Sequence, residues 1–200
     1  MLVAGLTGPI GAGKTTFSVL LAERGAQVIE ADMLGRDAVR PGRPAWHSVV
    51  DQFGEEILAP ATMEIDRQAL ADLVFRDRGK LAALNAILHP VIFRAVAEEL
   101  EKLRATDDVV VLDAALIIET GLEDVIDVLL VVTAPQHVRE RRLVYKRGLS
   151  LDDVRNRMAA QRRPEELVER ADIVVHNDGS LEDLAKEADR VWKELQERGK

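Results

Sequence analysis

A glycine-rich segment near the N-terminus carries the clearest chemical signal in the chain. Residues Gly8-Pro9-Ile10-Gly11-Ala12-Gly13-Lys14-Thr15 fit the pattern G-x-x-x-x-G-K-[ST]. Glycines let backbone N–H groups approach phosphate oxygens without a Cβ in the way, and a helix N-terminus adds partial positive charge. Lys14 would reach the terminal phosphates of a nucleotide, and the Thr15 hydroxyl would ligate Mg²⁺. The segment predicts a phosphate-binding loop; the alternative is a glycine-rich turn that happens to contain Lys-Thr.

Two carboxylates stand where strand-like runs end, at the sheet edge where open α/β folds bind ligands. Asp32 follows Gln27–Glu30 and could act as a general base toward an acceptor hydroxyl. It could equally cap a helix over Met33–Val39. Asp113 closes the run Val109–Asp113 and either supports Mg²⁺ or caps a helix. Spacing leaves both alternatives open.

A basic segment stands out from an acidic chain. Residues 139–163 contain nine basic and three acidic residues, a net charge of +6, so the rest of the chain carries −14 of the total of −8. On a helix, Arg139, Arg142 and Lys146 would share one face. Because guanidinium groups match phosphate oxygens, the cluster predicts a basic lid over a triphosphate. A solvated charged face is the alternative for most individual members.

Five aliphatic runs must position these groups, and most of them are unbroken rather than alternating, as in parallel strands buried on both faces. They are Leu2–Thr7, Gln27–Glu30, Val109–Asp113, Val128–Thr133 and Ile173–His176. Helical patterns lie between them, including Thr15–Arg24 and Leu181–Arg198. The rhythm predicts an α/β fold of the P-loop NTPase type, with a doubly wound, parallel, five-stranded sheet.

The uneven spacing of these runs divides the 200-residue chain, which we expect to form a single domain. Residues 1–30, 108–138 and 171–200 would form the nucleotide-binding core. Residues 31–107 show apolar positions at helical spacing and would form a helical insertion, with Pro90 at the start of one helix. Residues 139–170 would form a second insertion, the basic lid.

The composition excludes several classes of protein. The absence of cysteine excludes disulfides, thiolate nucleophiles and Cys-based metal sites. The net charge of −8 argues against a general nucleic-acid binder, and the basic segment offers only Tyr145 for stacking. Apolar runs such as Val128–Val132 are far below the ~20 residues of a membrane helix, and the first residues lack the basic region of a secretory signal. We therefore expect a cytoplasmic protein with no membrane or nucleic-acid partner.

Several motifs follow one another along nearly the whole chain: Gly5–Thr15, Ala31–Arg36, Leu84–Ile92, Asp113–Glu119, the lid residues Arg142, Leu143, Lys146, Arg157 and Gln161, and Ala171–Gly179. Through this set of motifs the chain resembles the dephospho-CoA kinases. The chain departs from the family pattern at Glu30, Ala115 and Lys146, which replace Asp, Pro and Arg. These departures put in question the role of Glu30, the rigidity of the turn at Ala115 and bidentate phosphate binding by Lys146.

The resemblance implies ATP-dependent phosphorylation of the ribose 3′-hydroxyl of dephospho-CoA, the last step of coenzyme A synthesis, with Mg²⁺. It favours Asp32 as the general base and makes residues 31–107 the acceptor-binding region. It implies that Lys14 and Arg142 stabilise the transferred phosphate. The partners would be the two small-molecule substrates, with the chain a monomer or small homo-oligomer.

The same resemblance implies a set of binding residues. For ATP they are Gly8, Pro9, Ile10, Gly11, Ala12, Gly13, Lys14, Thr15, Thr16, Arg142 and Asn177; for the acceptor Asp32, Arg36, His89 and Glu119; for the metal Thr15 and Asp113. His89 could instead be a structural histidine, and Asn177 could serve a turn or cap. Rival functions are another P-loop kinase, acting on a nucleoside, a nucleotide or a small hydroxyl acid, and a nucleotide-dependent switch. The chain lacks the N-K-x-D motif of such switches.

Overall fold

The computed structural model describes residues 1–74 and 77–200, with the backbone alone described at Lys146 and Arg147. The prediction about the Lys146 side chain therefore lies outside the described residues. The chain divides into two compact units. The first comprises Met1–Glu30 and Leu103–Lys200, and the second comprises Ala31–Lys102.

The first unit is built on a parallel sheet of five strands in the order β2-β3-β1-β4-β5. The strands are β1 (Leu2–Thr7), β2 (Gln27–Glu30), β3 (Val109–Asp113), β4 (Val128–Thr133) and β5 (Ile173–His176). Each pairing is parallel, with Leu6 of β1 opposite Asp113 of β3 and Leu130 of β4. The predicted α/β fold is confirmed, and its strands have the predicted bounds because β1, β3 and β4 are buried almost throughout.

The helices follow one another along the described chain. They are α1 (Lys14–Ala22), α2 (Ala31–Ala38), α3 (Pro44–Phe53), α4 (Arg67–Val74), α5 (Arg78–Leu103), α6 (Ile117–Thr120), α7 (Gln136–Arg147), α8 (Leu151–Ala159), α9 (Pro164–Arg170) and α10 (Leu181–Arg198), with single 3-10 turns at Glu55–Ile57 and Leu122–Val125. Helix α10 begins with a capping box between Ser180 and Asp183. Helices α1 and α10 have the predicted positions, within two residues at the end of α1.

The core of the first unit lies where the sheet meets helices α1 and α10. Leu6, Phe17, Leu130 and Leu195 are fully buried there, and Trp192 of α10 packs against them. Fully burying such a side chain contributes about 1.5–3 kcal/mol. The core thus holds β1 and α1 firmly, and with them the loop that joins them.

Two aspartates tie the amino ends of the strands together. The Asp127 carboxylate accepts a hydrogen bond from the N–H of Val3 at 2.8 Å, and the Asp172 carboxylate accepts one from the N–H of Leu129 at 2.7 Å. Both N–H groups belong to the second residues of their strands, where the strand ladder is just beginning. The carboxylates thus provide hydrogen-bond acceptors for these two backbone N–H groups.

The second unit is helical, with its own core. Val49 and Phe53 of α3, Leu70 of α4 and Leu84 of α5 are buried together. Trp46 packs beside them and donates its indole N–H to the Met63 carbonyl at 2.9 Å. The prediction of a helical insertion for this stretch agrees with its described residues.

The prediction that a helix begins at Pro90 is wrong, because Pro90 lies inside α5. Proline cannot donate the backbone hydrogen bond and crowds the preceding turn. Helix α5 nevertheless continues, since it buries Leu84 before the proline and Val96 and Leu100 after it. Packing on both sides outweighs the local cost.

Among residues 1–74 and 77–200, α5 is the one helix long and apolar enough by length and composition to cross a membrane. Buried helices of proteins that never meet a membrane pass the same test, so this is weak support for a span. The expectation that no membrane is involved stays a prediction.

Candidate active site

The glycine-rich loop runs from the end of β1 to the start of α1. Gly11 and Gly13 have φ values of 80° and 100°, which L side chains rarely adopt. At Gly8, an added Cβ would collide with the carbonyl oxygen of Val132 in β4. The N–H of Ala12 bonds to the Pro9 carbonyl at 3.0 Å, which closes a tight turn. The sequence pattern has therefore produced a loop whose backbone N–H groups lie at a helix N-terminus, ready for an anion.

Lys14 and Asp113 form an ion pair at the carboxyl edge of the sheet. Lys14 is the first residue of α1, and Asp113 ends β3 with 6% of its surface exposed. The alternative that Asp113 caps a helix is wrong, since the next helix begins only at Ile117 and follows Leu116. Thr15 and Thr16 are exposed in the first turn of α1. The structure thus brings together a cation, a carboxylate and two hydroxyl-bearing residues beside the loop.

The oxygen donors of this group fit Mg²⁺, which prefers hard oxygen ligands and usually keeps several waters and substrate phosphates. Thr15 and Asp113 are the two residues expected to support it, one at the start of α1 and one at the end of β3. Within the described parts of the chain, no three His, Asp or Glu side chains converge on a metal position.

Asn177 and Arg142 both contact the loop. The Asn177 amide nitrogen donates to the Ala12 carbonyl at 2.7 Å, and Arg142 Nη1 donates to the same carbonyl at 3.3 Å. Arg142 Nη2 also donates to the Asn177 oxygen at 3.2 Å. Asn177 follows β5 directly and is buried, while Arg142 is half-buried on α7. Both residues expected to bind ATP therefore lie against the loop.

Arg139 and Gln161 hold the other side of the loop. The buried guanidinium of Arg139 donates to the carbonyls of Ala134 and Ile10, at 3.0 and 3.5 Å. Burial lowers the pKa of this guanidinium below its usual value, although Glu165 and Glu140 oppose the shift. The Gln161 oxygen accepts the N–H of Ile10 at 2.8 Å. The basic segment thus contains residues that hydrogen-bond to the phosphate loop, in addition to residues exposed to solvent.

Glu119, expected at the acceptor, is engaged by an arginine of the same segment. Arg162 Nε donates to Glu119 at 3.0 Å, and this hydrogen bond raises the pKa of Arg162 above its usual value. Glu119 lies on α6, and Arg162 lies between α8 and α9. Arg141 and Arg157 of the segment, in contrast, are exposed on α7 and α8.

Helix α2 of the second unit carries two predicted acceptor residues. Asp32 and Arg36 are exposed, four residues apart on one face of α2, and both line a cavity of about 610 Å³. The alternative that Asp32 caps a helix over Met33–Val39 is wrong, because α2 begins at Ala31. Asp32 lies within its first turn, where a carboxylate also suits the helix dipole.

The rest of the cavity wall combines cations and apolar side chains. Arg40 and Arg67 lie on it together with Leu84, Leu88 and Ile92. His89, half-buried on α5, is not part of this lining. Sequence reasoning missed Arg40, which follows the end of α2, and Arg67, which begins α4.

The chain was compared with protein families, curated proteins and solved structures. The profile of the family described as dephospho-CoA kinase matches residues 2–183. A dephospho-CoA kinase from Streptomyces avermitilis is 46% identical over 198 residues, covering 99% of this chain and 96% of the relative. Among solved structures, TT1252 from Thermus thermophilus is 38% identical with a TM-score of 0.84, covering 97% of each chain.

The dephospho-CoA kinase from Campylobacter jejuni has the same fold, with a TM-score of 0.73 at 23% identity, covering 99% of this chain and 98% of its own. The family profile spans the phosphate loop, Asp32, Asp113, Arg142 and Asn177. Fold, loop and full-length similarity agree. The chain belongs to the dephospho-CoA kinase family.

Proposed function

We propose that this chain transfers the terminal phosphate of ATP to the ribose 3′-hydroxyl of dephospho-CoA, giving coenzyme A and ADP. This reaction is the final step of coenzyme A biosynthesis. The observation that carries the proposal is the phosphate loop Gly8–Thr15 at the carboxyl end of β1, in a chain that matches this kinase family over residues 2–183.

The donor side is supported by the groups around the loop. Its backbone N–H groups and Lys14 bind the phosphates of ATP, and Arg142 adds charge near the transferred group. Asn177 belongs to the same ATP-binding set. Because the donors are fixed before substrate arrives, they stabilise charge that develops during transfer without having to reorganise.

The acceptor side is supported by the cavity of the second unit. Dephospho-CoA carries an anionic diphosphate and a long, largely uncharged pantetheine arm. Arg36, Arg40 and Arg67 offer charge for the first, and the wall of Leu84 and Leu88 offers apolar surface for the second. His89 and Glu119 stay proposed acceptor residues without a cavity contact that supports them.

Asp32 is the proposed general base. A carboxylate removes the proton of the 3′-hydroxyl as the oxygen attacks phosphorus, which contributes about 10²–10⁴-fold to the rate. Asp32 is exposed and lines the cavity, so its carboxylate is accessible to an acceptor bound there.

A kinase of this family uses ATP together with a metal ion, and Mg²⁺ is the proposed ion. Thr15 and Asp113 would hold it. When bound, Mg²⁺ would neutralise negative charge on the phosphates. Lys14, paired with Asp113 here, holds that carboxylate in place.

The wider organisation is also part of the proposal. Residues 1–30, 108–138 and 171–200 serve as the nucleotide core, residues 31–107 bind the acceptor, and residues 139–170 act as a lid, all within one domain. The protein works in the cytoplasm as a monomer or small homo-oligomer, without membrane or nucleic-acid partners.

The test is an acceptor panel with the purified chain, ATP and Mg²⁺. The panel contains dephospho-CoA, its 3′-deoxyribose analogue, AMP and shikimate. We expect ADP release with dephospho-CoA alone, and a product that co-elutes with coenzyme A. Turnover of AMP or shikimate without turnover of dephospho-CoA would overturn the proposal, and turnover of the 3′-deoxy analogue would overturn the assigned hydroxyl.

A further inference from the structure

Three hydrogen bonds close a triangle between Ala12, Arg142 and Asn177. Two of them end on the Ala12 carbonyl, and the third joins the two side chains. The Asn177 side chain is buried, and its backbone N–H bonds to the Thr133 carbonyl at 2.8 Å at the end of β4. The carboxamide is therefore a fixed point on the sheet, with one N–H group and the oxygen each hydrogen-bonded to a protein group.

The orientation of the Ala12 carbonyl decides where the next N–H points. A trans peptide is planar, so the Ala12 C=O and the Gly13 N–H point in opposite directions. Bonds from Asn177 and Arg142 to the carbonyl oxygen hold that plane and with it the aim of the Gly13 N–H. Gly13 lies at the helix N-terminus of the phosphate loop, where backbone N–H groups bind anions.

Gly13 and Asn177 also fit each other sterically. Gly13 has a φ of 100°, and a Cβ added there would overlap the amide nitrogen of Asn177. The same carboxamide thus touches the loop at two successive residues. It also fixes one end of the Arg142 guanidinium, whose position otherwise depends on a long flexible side chain.

We propose that Asn177 is a positioning residue for ATP, which acts through the Gly13 N–H and the Arg142 guanidinium. Asparagine suits this role because one planar group supplies both a donor and an acceptor. Aspartate would still accept from Arg142 but would put a negative oxygen against the Ala12 carbonyl. The proposal rests on the proposed function only in the turnover assays, which use dephospho-CoA as the acceptor.

The first experiment measures the affinity of the full chain for a non-hydrolysable ATP analogue by calorimetry, which needs no acceptor. We expect Asn177→Ala to weaken affinity by about tenfold to a hundredfold, since the Ala12 carbonyl loses the shorter of its two hydrogen bonds. Asn177→Asp should weaken it at least as much. Gln196→Ala, which removes an exposed carboxamide on α10, is the matched control and should change nothing.

The second experiment is a double-mutant cycle with Asn177→Ala, Arg142→Ala and the double variant. If Asn177 acts partly through Arg142, the effects of the two substitutions on affinity should not add, because the residues are coupled. The affinity of the double variant should then be within about threefold of that of the weaker-binding single variant. In turnover, KM for ATP should rise while KM for dephospho-CoA stays within about twofold.

Three results would overturn the proposal. The first is an unchanged affinity of Asn177→Ala for the ATP analogue. The second is a double variant whose loss of affinity equals the product of the two single losses. The third is a rise in KM for dephospho-CoA, instead of KM for ATP, in Asn177→Ala. Melting temperatures are measured for each variant, so that loss of folded protein can be distinguished from misplacement of the Gly13 N–H and the Arg142 guanidinium. Unfolding lowers the active fraction without changing either KM. Failure to phosphorylate dephospho-CoA would instead contradict the proposed function and leave the affinity measurements valid.

Discussion

The two units prepare their functional groups in opposite ways. In the first unit, Lys14 is paired with Asp113, and Asn177 is bonded to the loop it supports. In the second unit, Asp32 and Arg36 are exposed along an open cavity with an apolar wall. The donor side is fixed by backbone and buried partners, whereas the acceptor side offers charged side chains on a helix surface.

The difference follows from what each side must recognise. Phosphates of a nucleotide are compact and carry high charge, so preset N–H groups and a lysine bind them without reorganising. A long flexible acceptor is better met by an open groove with a few charged groups. We therefore expect substitutions in the first unit to alter nucleotide binding, and those in the second to alter acceptor use or the proton transfer.

The largest expected effect comes from the second unit. Asp32→Asn should lower kcat by about 10²–10⁴-fold, because the amide cannot accept the hydroxyl proton. Affinity for an ATP analogue should stay within about twofold. The control is Asp51→Asn, an exposed carboxylate on α3 outside the cavity lining. Near-normal turnover of Asp32→Asn would contradict the base assignment.

Lys14→Gln tests the first unit with the next largest effect. Loss of a preorganised cation should lower kcat by about 10²–10³-fold and weaken nucleotide affinity. Because Asp113 would lose its partner, the melting temperature is measured too, and assays are run well below it. Lys193→Gln on α10 provides an exposed lysine as control. Residual activity within tenfold of the parent would show that Lys14 is not needed for transfer.

Arg36→Ala tests whether acceptor binding can be weakened without a change in ATP binding. Loss of a charged contact with the acceptor should raise its KM by about tenfold and leave KM for ATP unchanged. Arg78→Ala serves as a control, since Arg78 begins α5 and lies outside the cavity lining. A rise of the same size in KM for ATP would contradict the expectation that substitutions in the second unit leave nucleotide binding unchanged.

The smallest effect concerns stability alone. Ser180→Ala removes the cap of α10 and should lower the melting temperature by about 2–4 °C, with turnover unchanged. Hydrogen bonds from Ser180 lower the pKa of Asp183 below its usual 3.8. A lowered carboxyl pKa stabilises the fold above the unfolded value and stops doing so as pH falls through the folded value.

The stability difference between the parent and Asp183→Asn should therefore be full near neutral pH and shrink below about pH 4. Thermal unfolding measured from pH 3 to pH 7 checks this. A difference that grows toward acid pH would contradict the capping account.

The sequence predicted the sheet well because a strand buried on both faces reads as an unbroken aliphatic run, as in Val109–Asp113. It also predicted the phosphate loop, whose glycines and lysine are close in the chain. Pro90 was predicted wrongly because packing of Leu84 and Val96 overrides a local signal. The helix-cap alternatives for Asp32 and Asp113 failed because helix starts shift by a few residues.

Partners distant in sequence were beyond prediction. Nothing in the spacing shows that Gln161 bonds to Ile10, or that Asn177 bonds to Ala12, since these contacts join residues more than a hundred positions apart. The charge pattern marked the basic segment but could not separate the buried Arg139 from the exposed Arg157. Roles of the site residues stay predictions that the substitutions above will test.

The two tryptophans of the chain give each unit its own optical signal. Trp192 packs against the core of the first unit, and Trp46 bonds to Met63 in the second. In Trp46→Phe the remaining fluorescence reports on the sheet-containing unit, and in Trp192→Phe it reports on the helical one. Titrating ATP or dephospho-CoA into each variant would show which unit responds to which ligand, and denaturant would show whether the two lose structure in one step or two.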